Sequence, residues 1–217
     1  DYFDFYMFHN VCELNIDAYL DEKYGILQYL LKQKARGRIR HLGFSVHGAY
    51  PVLQRFLQQY GAHMEFCQIQ LNYLDWKFQD AKAKTELLKK YEIPVWVMEP
   101  LRGGYLANLS AEDEAALNKI RPKETAVETA FRFIQALPQV KVTLSGMSDF
   151  EQLKENIRIF EEEKPLTSKE MEQLLHLADD MISKIGVPCT GCSYCVNHCP
   201  QGLDIPKLLQ MYNEHQS

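Results

Sequence analysis

Five short, apolar, β-prone runs alternate with helical patterns along this chain, and this alternation restricts its fold more than any other feature of the sequence. The runs recur at intervals of roughly 30 residues, which is the rhythm of strand–helix–strand units in a parallel sheet. We predict strands at residues 2–8, 38–45, 66–71, 94–98 and 140–144. We predict helices at residues 16–34, 50–60, 81–91, 125–136 and 205–212, and two more that begin after residues 148 and 167.

Two of the predicted helix starts carry the pattern of a capping box. Ser148 and Glu151 are three residues apart, so each side chain is expected to bond the backbone amide of the other. Thr167 and Glu170 repeat this pattern, and an apolar stripe at helical spacing follows them. We therefore expect the helix after Thr167 to pack against another part of the chain.

Five sequential parallel strands raise a physical problem, because such strands curl toward a barrel that closes with eight. An arc of five leaves the first and last strands with unpaired edges and leaves an apolar interior open to water. We predict an α/β fold in which residues 1–165 are the C-terminal five βα units of a TIM (β/α)8 barrel. We expect the missing units to precede Asp1, which makes the chain a fragment, and we predict a separate small helical module at residues 166–217.

The composition excludes several classes of protein. A chain with 46% hydrophobic residues, 24% charged residues and a net charge of −5 is typical of an ordinary globular protein, without the clustered Lys and Arg of a nucleic-acid surface. We expect no signal peptide, and the sequence contains no run of about 18 apolar residues, so we expect no membrane partner. Six cysteines without a secreted context favour a reducing cytoplasm over disulfides.

Polar residues follow every predicted strand. In parallel α/β folds the chemistry lies at the C-terminal ends of the strands. A single histidine at such an end is often structural. The presence of polar residues at all five strand ends is therefore the observation that indicates a functional site. The residues concerned are His9 and Asn10, then Ser45 and His47, then Gln68, Gln70 and Asn72, then Glu99, Arg102, Gly103 and Gly104, and finally Ser145, Gly146 and Ser148.

A run of cysteines near the C-terminus has the spacing of a metal or cluster site. Cys189, Cys192, Cys195 and Cys199 lie within a dozen residues, and Pro200 follows the last of them. This is the bacterial ferredoxin spacing for a [4Fe–4S] cluster. The alternative is structural zinc, but structural zinc sites usually pair two short cysteine hairpins across a longer gap.

The spacing leaves more than one candidate for the fourth ligand of this cluster. In ferredoxins with two clusters the fourth cysteine of such a run serves the other cluster. Cys67 lies inside a predicted strand and is expected to be a core residue, whereas Cys12 follows the first strand and is a remote candidate. We predict that Cys199 closes the same cluster as Cys189, Cys192 and Cys195.

Residues 1–9, 37–45, 66–73, 99–104 and 144–156 resemble the aldo-keto reductases. Together with the cysteine run, they resemble the iron–sulfur branch of that family, in which a C-terminal ferredoxin-type module is present. The resemblance implies a barrel enzyme that transfers hydride between NAD(P)H and a small-molecule carbonyl or alcohol.

The resemblance also implies roles for individual residues. His9 corresponds to the active-site histidine that orients or polarises the carbonyl, and Ser45 and Gln68 correspond to side chains that hold the carboxamide of nicotinamide. The pyrophosphate loop corresponds to Pro100, Leu101, Arg102, Gly103 and Gly104. The adenosine end of the cofactor corresponds to Gly146, Met147, Ser148, Gln152, Glu155 and Asn156.

The chain departs from the family pattern in two respects. The tyrosine, aspartate and lysine that supply the family's general acid have no counterpart here, and we expect them before Asp1. Members that prefer NADP place Lys and Arg near the 2′-phosphate, where this chain has Gly146 and Gln152, so NAD is at least as well supported. Lys154 and Arg158 are cations in the same region, so NADP is the alternative cofactor.

Two functions from different classes follow. The first is a cytoplasmic NAD(P)-dependent oxidoreductase with an appended [4Fe–4S] cluster and, through that cluster, a redox partner protein. The second is a non-catalytic iron–sulfur electron-transfer or interaction protein that keeps the cluster and a degenerate barrel.

Overall fold

A computed structural model describes residues 1–184, 186–187, 189 and 193–216. Its strands form one five-stranded parallel sheet in chain order, as the alternation predicted. The strands are β1 (Phe3–Val11), β2 (Ile39–Val46), β3 (Cys67–Gln70), β4 (Val95–Met98) and β5 (Val140–Thr143).

Helices connect consecutive strands and continue beyond the last one. They are α1 (Ile16–Leu20), α2 (Ile26–Ala35), α3 (Tyr50–Tyr60), α4 (Asp75–Phe78), α5 (Ala81–Lys90), α6 (Ala111–Ile120), α7 (Ala126–Gln135), α8 (Phe150–Glu161), α9 (Ser168–Lys184), α10 (Tyr194–His198) and α11 (Ile205–Gln216). Among the helices of the described residues, none has an apolar stretch of bilayer-spanning length.

The single helix predicted at residues 16–34 is wrong, because the structure divides it into α1 and α2. Asp21 has an extended backbone, and its side chain accepts a hydrogen bond from the amide of Lys23. Gly25 then adopts a left-handed φ of 57° before α2 begins. An aspartate that bonds its own backbone and a left-handed glycine both stop a helix, and they outweigh the apolar periodicity.

The predicted cap at Ser148 is displaced by one residue. Asp149 is the actual cap, and its carboxylate accepts from the amide of Gln152 at 2.9 Å. The Gln152 side chain accepts in turn from the amide of Ser148 at 2.9 Å. The capping box of Thr167 and Glu170 is confirmed, since the Glu170 carboxylate accepts from the Thr167 amide at 2.8 Å.

The face of the sheet that meets the helices is the hydrophobic core. Phe44 of β2 is fully buried. It packs on Phe56 of α3 with ring centroids 4.6 Å apart. Phe8 of β1 contacts the same ring, with centroids 5.4 Å apart. These aromatic contacts hold β1 and β2 against α3, and each stabilises the fold by more than the burial of its apolar area alone.

The opposite face carries a second aromatic group. Phe66 stacks on Trp96 with ring centroids 4.2 Å apart, and Phe5 meets Trp96 edge-on at 4.8 Å. Gly43 makes this possible, because a Cβ at that position would lie 2.5 Å from the Phe66 ring. Phe5 is nevertheless 50% exposed and Phe3 61% exposed. The expectation of apolar side chains open to water on an edge strand is met at β1.

The described residues form two compact units. One contains Asp1–Pro100 and Phe131–Pro165, and the other contains Leu101–Ala130 and Leu166–Ser217. The predicted division between residues 165 and 166 stays a prediction, since the second unit also takes in the segment that contains α6.

Arg132 of α7 is a buried cation, only 1% exposed, that caps the C-terminal end of α8. Its guanidinium donates to the carbonyl of Ile159 at 2.6 Å and also to the carbonyl of Glu162. The Gln135 side chain accepts a further bond at 3.0 Å. The last carbonyls of a helix have no partner within it, and Arg132 supplies donors to two of them here, with a second donor to Ile159 from the Gln135 side chain at 3.2 Å.

We expect Arg132→Met to lower the free energy of unfolding by about 3 kcal/mol, because the substitution removes a buried guanidinium together with its bonds to the carbonyls of Ile159 and Glu162. Arg55→Met is the control. Arg55 forms an exposed 2.7 Å ion pair with Asp17, and its loss should cost less than about 1 kcal/mol. Urea denaturation measures both, and equal effects for the two variants would contradict the proposed role of Arg132.

Candidate functional site

Three of the predicted site residues lie side by side at the C-terminal edge of the sheet. Phe8 is paired with Phe44, so His9 follows directly at the level of Ser45. Ser45 is in turn paired with Gln68 on β3. Strand pairing brings Ser45 and Gln68 together, and the bond from the Asn10 amide to the Ser45 hydroxyl holds the neighbouring His9 beside them, although 36 residues separate His9 from Ser45 and 23 separate Ser45 from Gln68.

The backbone around His9 is held by side chains rather than by regular pairing. The Asn10 amide donates to the Ser45 hydroxyl at 2.7 Å, and the His9 carbonyl accepts from the Tyr19 hydroxyl at 2.7 Å. Asn10 has a left-handed φ of 54°, and its carbonyl accepts from the Asn15 side chain at 2.7 Å. The register of β1 against β2 shifts after Phe8, and the imidazole of His9 is exposed.

Gln68 is half-buried, and its amide nitrogen donates to the sulfur of Met98 at 3.4 Å. A thioether is a weak acceptor. A carbonyl oxygen on a ligand would therefore be a better partner for this amide than the one it has. Ser45 is buried, and its hydroxyl oxygen accepts a bond from the Asn10 amide. Its hydroxyl proton can be donated to a ligand.

A buried carboxylate connects the ends of β3 and β4. Asp75 is fully buried and accepts from Gln70 at 2.8 Å and from Asn72 at 2.7 Å. The Asn72 amide also donates to the carbonyl of Glu99 at 2.9 Å, where the backbone has a φ of 56°. The network fixes the backbone at the end of β4.

The predicted pyrophosphate loop has an unusual backbone. Arg102, Gly103 and Gly104 have consecutive left-handed φ values of 48°, 62° and 90°. A Cβ on Gly104 would meet nothing within 4 Å, so glycine is required there by conformation and not by space. Within this predicted loop, Pro100 belongs to the first unit and Leu101 begins the second unit.

The predicted adenosine group lies between β5 and the first turns of α8. Gly146, Met147 and Ser148 are exposed, whereas Glu155 and Asn156 are half-buried on α8. The side chain of Asn156 donates to the Ser145 hydroxyl at 3.1 Å and to the Met147 sulfur at 3.4 Å. The helix therefore holds the loop through Asn156, and through Gln152 as described above.

Residues that the sequence analysis did not single out also shape this edge. Asp75 follows Asn72 by three residues, and this capping-type spacing was a signal for its bond to the Asn72 side chain. Tyr19 gave no such signal, because its partner is a distant backbone carbonyl. Lys84 is also buried, and this burial lowers the pKa of its ammonium group.

A cleft of about 430 Å³ lies elsewhere in the first unit, beside β5. None of the predicted site residues lines it, so it does not belong to the candidate site. Its lining residues are Ile134, Gln135, Leu137, Val140, Lys141, Thr143, Phe160, Glu163 and Pro165.

The cysteine run is described only in part, because Cys192 lies outside the described residues. Among the described residues Cys189, Cys195 and Cys199 form no disulfide, and Cys195 is exposed. The amide of Leu203 donates to the Cys199 sulfur at 3.4 Å. Within the described ranges no three metal-binding side chains come together. The four-cysteine site therefore stays a prediction.

Comparisons with known proteins agree on one family. Residues 1–179 match the model described as "Aldo/keto reductase family". Aldo-keto reductase AKR11C1 from Bacillus halodurans (apo form) aligns with a TM-score of 0.66 at 21% identity, covering 82% of this chain and 62% of that chain. No curated protein sequence matches the chain.

Two further solved structures are similar to a comparable extent. An aldo/keto reductase from Brucella melitensis aligns with a TM-score of 0.61 at 21% identity, covering 82% of this chain and 62% of that one. An aldo/keto reductase from Klebsiella pneumoniae in complex with NADP and acetate aligns with a TM-score of 0.63 at 18% identity, covering 82% and 59%. At these identities the likeness shows the fold, and the chain spans less than two thirds of the length of each structure.

We expect acidification from about pH 7.5 to about pH 5 to cost the protein more stability than it costs a His47→Gln variant. Burial, reinforced by Coulombic repulsion from Lys84 and from His9, lowers the pKa of His47 from 6.5 to about 4. In this range the unfolded chain therefore binds a proton that the folded chain does not bind. The contribution is complete above the unfolded pKa and is lost as the pH falls toward the folded pKa.

Urea denaturation at the two pH values measures this difference. Because His47 is only half-buried, we expect about 1 kcal/mol. His63→Gln, at an exposed histidine, is the control and should match the wild type at both pH values. An identical pH dependence for wild type and His47→Gln would show that the shifted titration of His47 is not coupled to folding.

Proposed function

Because the chain belongs to the aldo/keto reductase family, we propose that it contributes the hydride-transfer site of an NAD(P)-dependent oxidoreductase acting on a small carbonyl or alcohol. The observation that carries this proposal is the alignment of His9, Ser45 and Gln68 across three neighbouring strands at the C-terminal edge of the sheet. Catalytic groups of parallel α/β barrels lie at this edge.

His9 is proposed to act on the substrate oxygen. Its imidazole is exposed, so an N–H donor is available to a carbonyl on which negative charge develops. The bonds from Tyr19 and to Ser45 hold the peptide group that joins it to Asn10. A fixed backbone limits the motion of the ring, which is what a donor aimed at a developing charge requires.

Ser45 and Gln68 are proposed to hold the carboxamide of nicotinamide, and bound NAD(P)H would supply the hydride. The donors of this pair fit an amide ligand, since Gln68 now bonds only the weak thioether acceptor of Met98 through its nitrogen. The remainder of the cofactor is proposed to contact the two loops described above. The residues concerned are Pro100, Leu101, Arg102, Gly103 and Gly104 for the pyrophosphate and Gly146, Met147, Ser148, Gln152, Glu155 and Asn156 for the adenosine.

The cofactor preference is proposed to include NAD. Lys154, which could face a 2′-phosphate, is already bonded to Glu151 at 2.9 Å. Gly146 and Gln152 carry no charge. The similar Klebsiella pneumoniae structure contains NADP, which keeps NADP as the second cofactor to test.

We also propose that Cys189, Cys192, Cys195 and Cys199 hold a [4Fe–4S] cluster and that a redox partner protein in the cytoplasm exchanges electrons with it. Thiolates at this spacing are the donor set of such clusters. The amide bond from Leu203 to the Cys199 sulfur supports the assignment, because amide-to-sulfur bonds tune cluster potentials.

We expect the chain to bind NADH or NADPH and Gln68→Ala to weaken that binding about tenfold, because the substitution removes a hydrogen bond to the carboxamide. Quenching of the Trp fluorescence or a calorimetric titration measures the dissociation constant. Binding is the better measurement than turnover, since no residue of this chain is assigned as the general acid. Gln58→Ala, at an exposed glutamine of α3, is the matched control.

The same titration distinguishes the two classes of function. Binding that Gln68→Ala leaves unchanged would place the cofactor elsewhere. No binding of either nucleotide at millimolar concentration would contradict the oxidoreductase and leave the non-catalytic iron–sulfur protein.

We expect anaerobic reconstitution with iron and sulfide to give broad absorption near about 400 nm, and Cys199→Ser to abolish it. Cys12→Ser is the control, because Cys12 is the alternative fourth thiol and is buried next to α1. Loss of colour in Cys12→Ser but not in Cys199→Ser would identify Cys12, and not Cys199, as the fourth ligand. A colourless protein that retains zinc would favour the structural zinc alternative.

A further inference from the structure

Asn108 bonds the backbone of the predicted pyrophosphate loop from a position just beyond it. Its side-chain amide donates to the carbonyl of Gly104 at 3.0 Å. The amide of Gly104 donates in turn to the carbonyl of Leu101, also at 3.0 Å. Leu101, Gly104 and Asn108 all belong to the second unit. Both polar groups of the Gly104 backbone are therefore held within that unit.

The loop presents backbone, rather than a charged side chain, to a ligand. Arg102 is only 6% exposed, so its guanidinium is largely withheld from solvent. Gly103 is exposed, and the space beside Gly104 is open, since a Cβ there would meet nothing within 4 Å. Successive backbone N–H groups in turns form concavities that bind anions. An anion held in this way depends on the conformation of the loop.

The residues of the loop do not by themselves select that conformation strongly. Arg102 has a left-handed φ of 48°, which is uncommon for a residue other than glycine. Gly103 and Gly104 have access to many conformations, so ordering them costs more conformational entropy than ordering other residues does. Hydrogen bonds from outside the loop therefore contribute to the choice of one conformation, and Asn108 supplies such a bond.

The segment that carries Asn108 is itself anchored. The Asn108 amide donates to the carbonyl of Tyr105 at 3.2 Å. Two residues further on, the Ser110 hydroxyl caps α6 by accepting from the Asp113 amide at 3.1 Å. The Asp113 carboxylate also accepts from the Lys184 ammonium of α9 at 3.1 Å. The donor that bonds Gly104 is thus held close to a capped helix start, which α9 contacts in turn.

We propose that Asn108 is a positioning residue for the pyrophosphate of the cofactor, because its side-chain amide holds the loop at Gly104 in the conformation that receives the phosphates. This inference rests on the proposed function. Asn108 acts through the Gly104 carbonyl and is not assigned a contact with the cofactor. When only a fraction of the molecules has the competent conformation, the apparent affinity falls by that fraction.

The first step of this inference is tested on the chain without cofactor. We expect the amides of Gly104 and Leu106 to exchange with deuterium roughly fivefold faster in Asn108→Ala, the ratio that corresponds to about one net hydrogen bond. Both amides donate to the carbonyl of Leu101. The amides within α5 are the internal reference and should be unchanged. Asn108 has a φ of −133°, which alanine adopts without strain.

The second step is tested by binding. We expect the dissociation constant for NADH to rise about fivefold in Asn108→Ala, because fewer molecules then have the competent loop. The phosphorus NMR resonances of NADH bound at saturation should also differ from those in the wild type. A role in stability alone would leave the spectrum of the bound pyrophosphate unchanged.

Two further variants make the result specific. Asn108→Asp lacks the donor and places a negative charge near the Gly104 carbonyl, so it should bind NADH more weakly than Asn108→Ala does. Asn118→Ala, at an exposed asparagine of α6, should match the wild type in both measurements. Circular dichroism checks that the variants fold, and Asn108→Asp carries the test if the alanine variant does not.

Unchanged exchange at Gly104, or an unchanged dissociation constant and phosphorus spectrum beside a wild type that binds NADH, would overturn this inference alone. Failure of the wild type to bind NADH or NADPH would instead overturn the proposed function, and the role of Asn108 with it. Binding by the wild type therefore distinguishes the two failures.

Discussion

Parallel pairing of each strand with the next one in the chain is the constraint on which this structure depends. It gives every strand the same direction, so that all the C-terminal ends lie at one edge. His9, Ser45 and Gln68 are neighbours for this reason and not because of any local motif. The aromatic contacts of Phe44 with α3 fix the opposite face of the same sheet, so one arrangement of strands positions both the core and the candidate site.

Much of this arrangement could be predicted from local patterns, and the errors have local causes. Each apolar run became a strand, because parallel strands buried by helices require continuous hydrophobic sequence. The helix predicted at 16–34 failed because apolar periodicity does not detect a backbone-bonding Asp21 or a left-handed Gly25. The cap at Ser148 failed because Asp149 beside it is an equally good cap, and sequence spacing does not choose between two adjacent cap residues.

The buried polar groups could not be predicted in the same way. Arg132 and Asp75 are types of residue that sequence reasoning places at the surface. Their burial depends on partners that the fold supplies, namely the terminal carbonyls of α8 for Arg132 and the amides of Gln70 and Asn72 for Asp75. The hydrogen bonds described above join both side chains to neutral dipoles, which no pattern of charge along the chain reveals.

The aromatic side chains on β1 have a consequence for how the protein behaves in solution. In the described sheet β1 has a neighbour on one side only, and Phe3 and Phe5 are half or more exposed along it. A long, apolar strand with free backbone amides on one side is a template for a strand from another molecule. Self-association of this kind is second order in protein, so dilute samples favour the isolated chain and concentrated samples favour precipitation. For the described strands taken by themselves, solubility is therefore the property that this edge affects most.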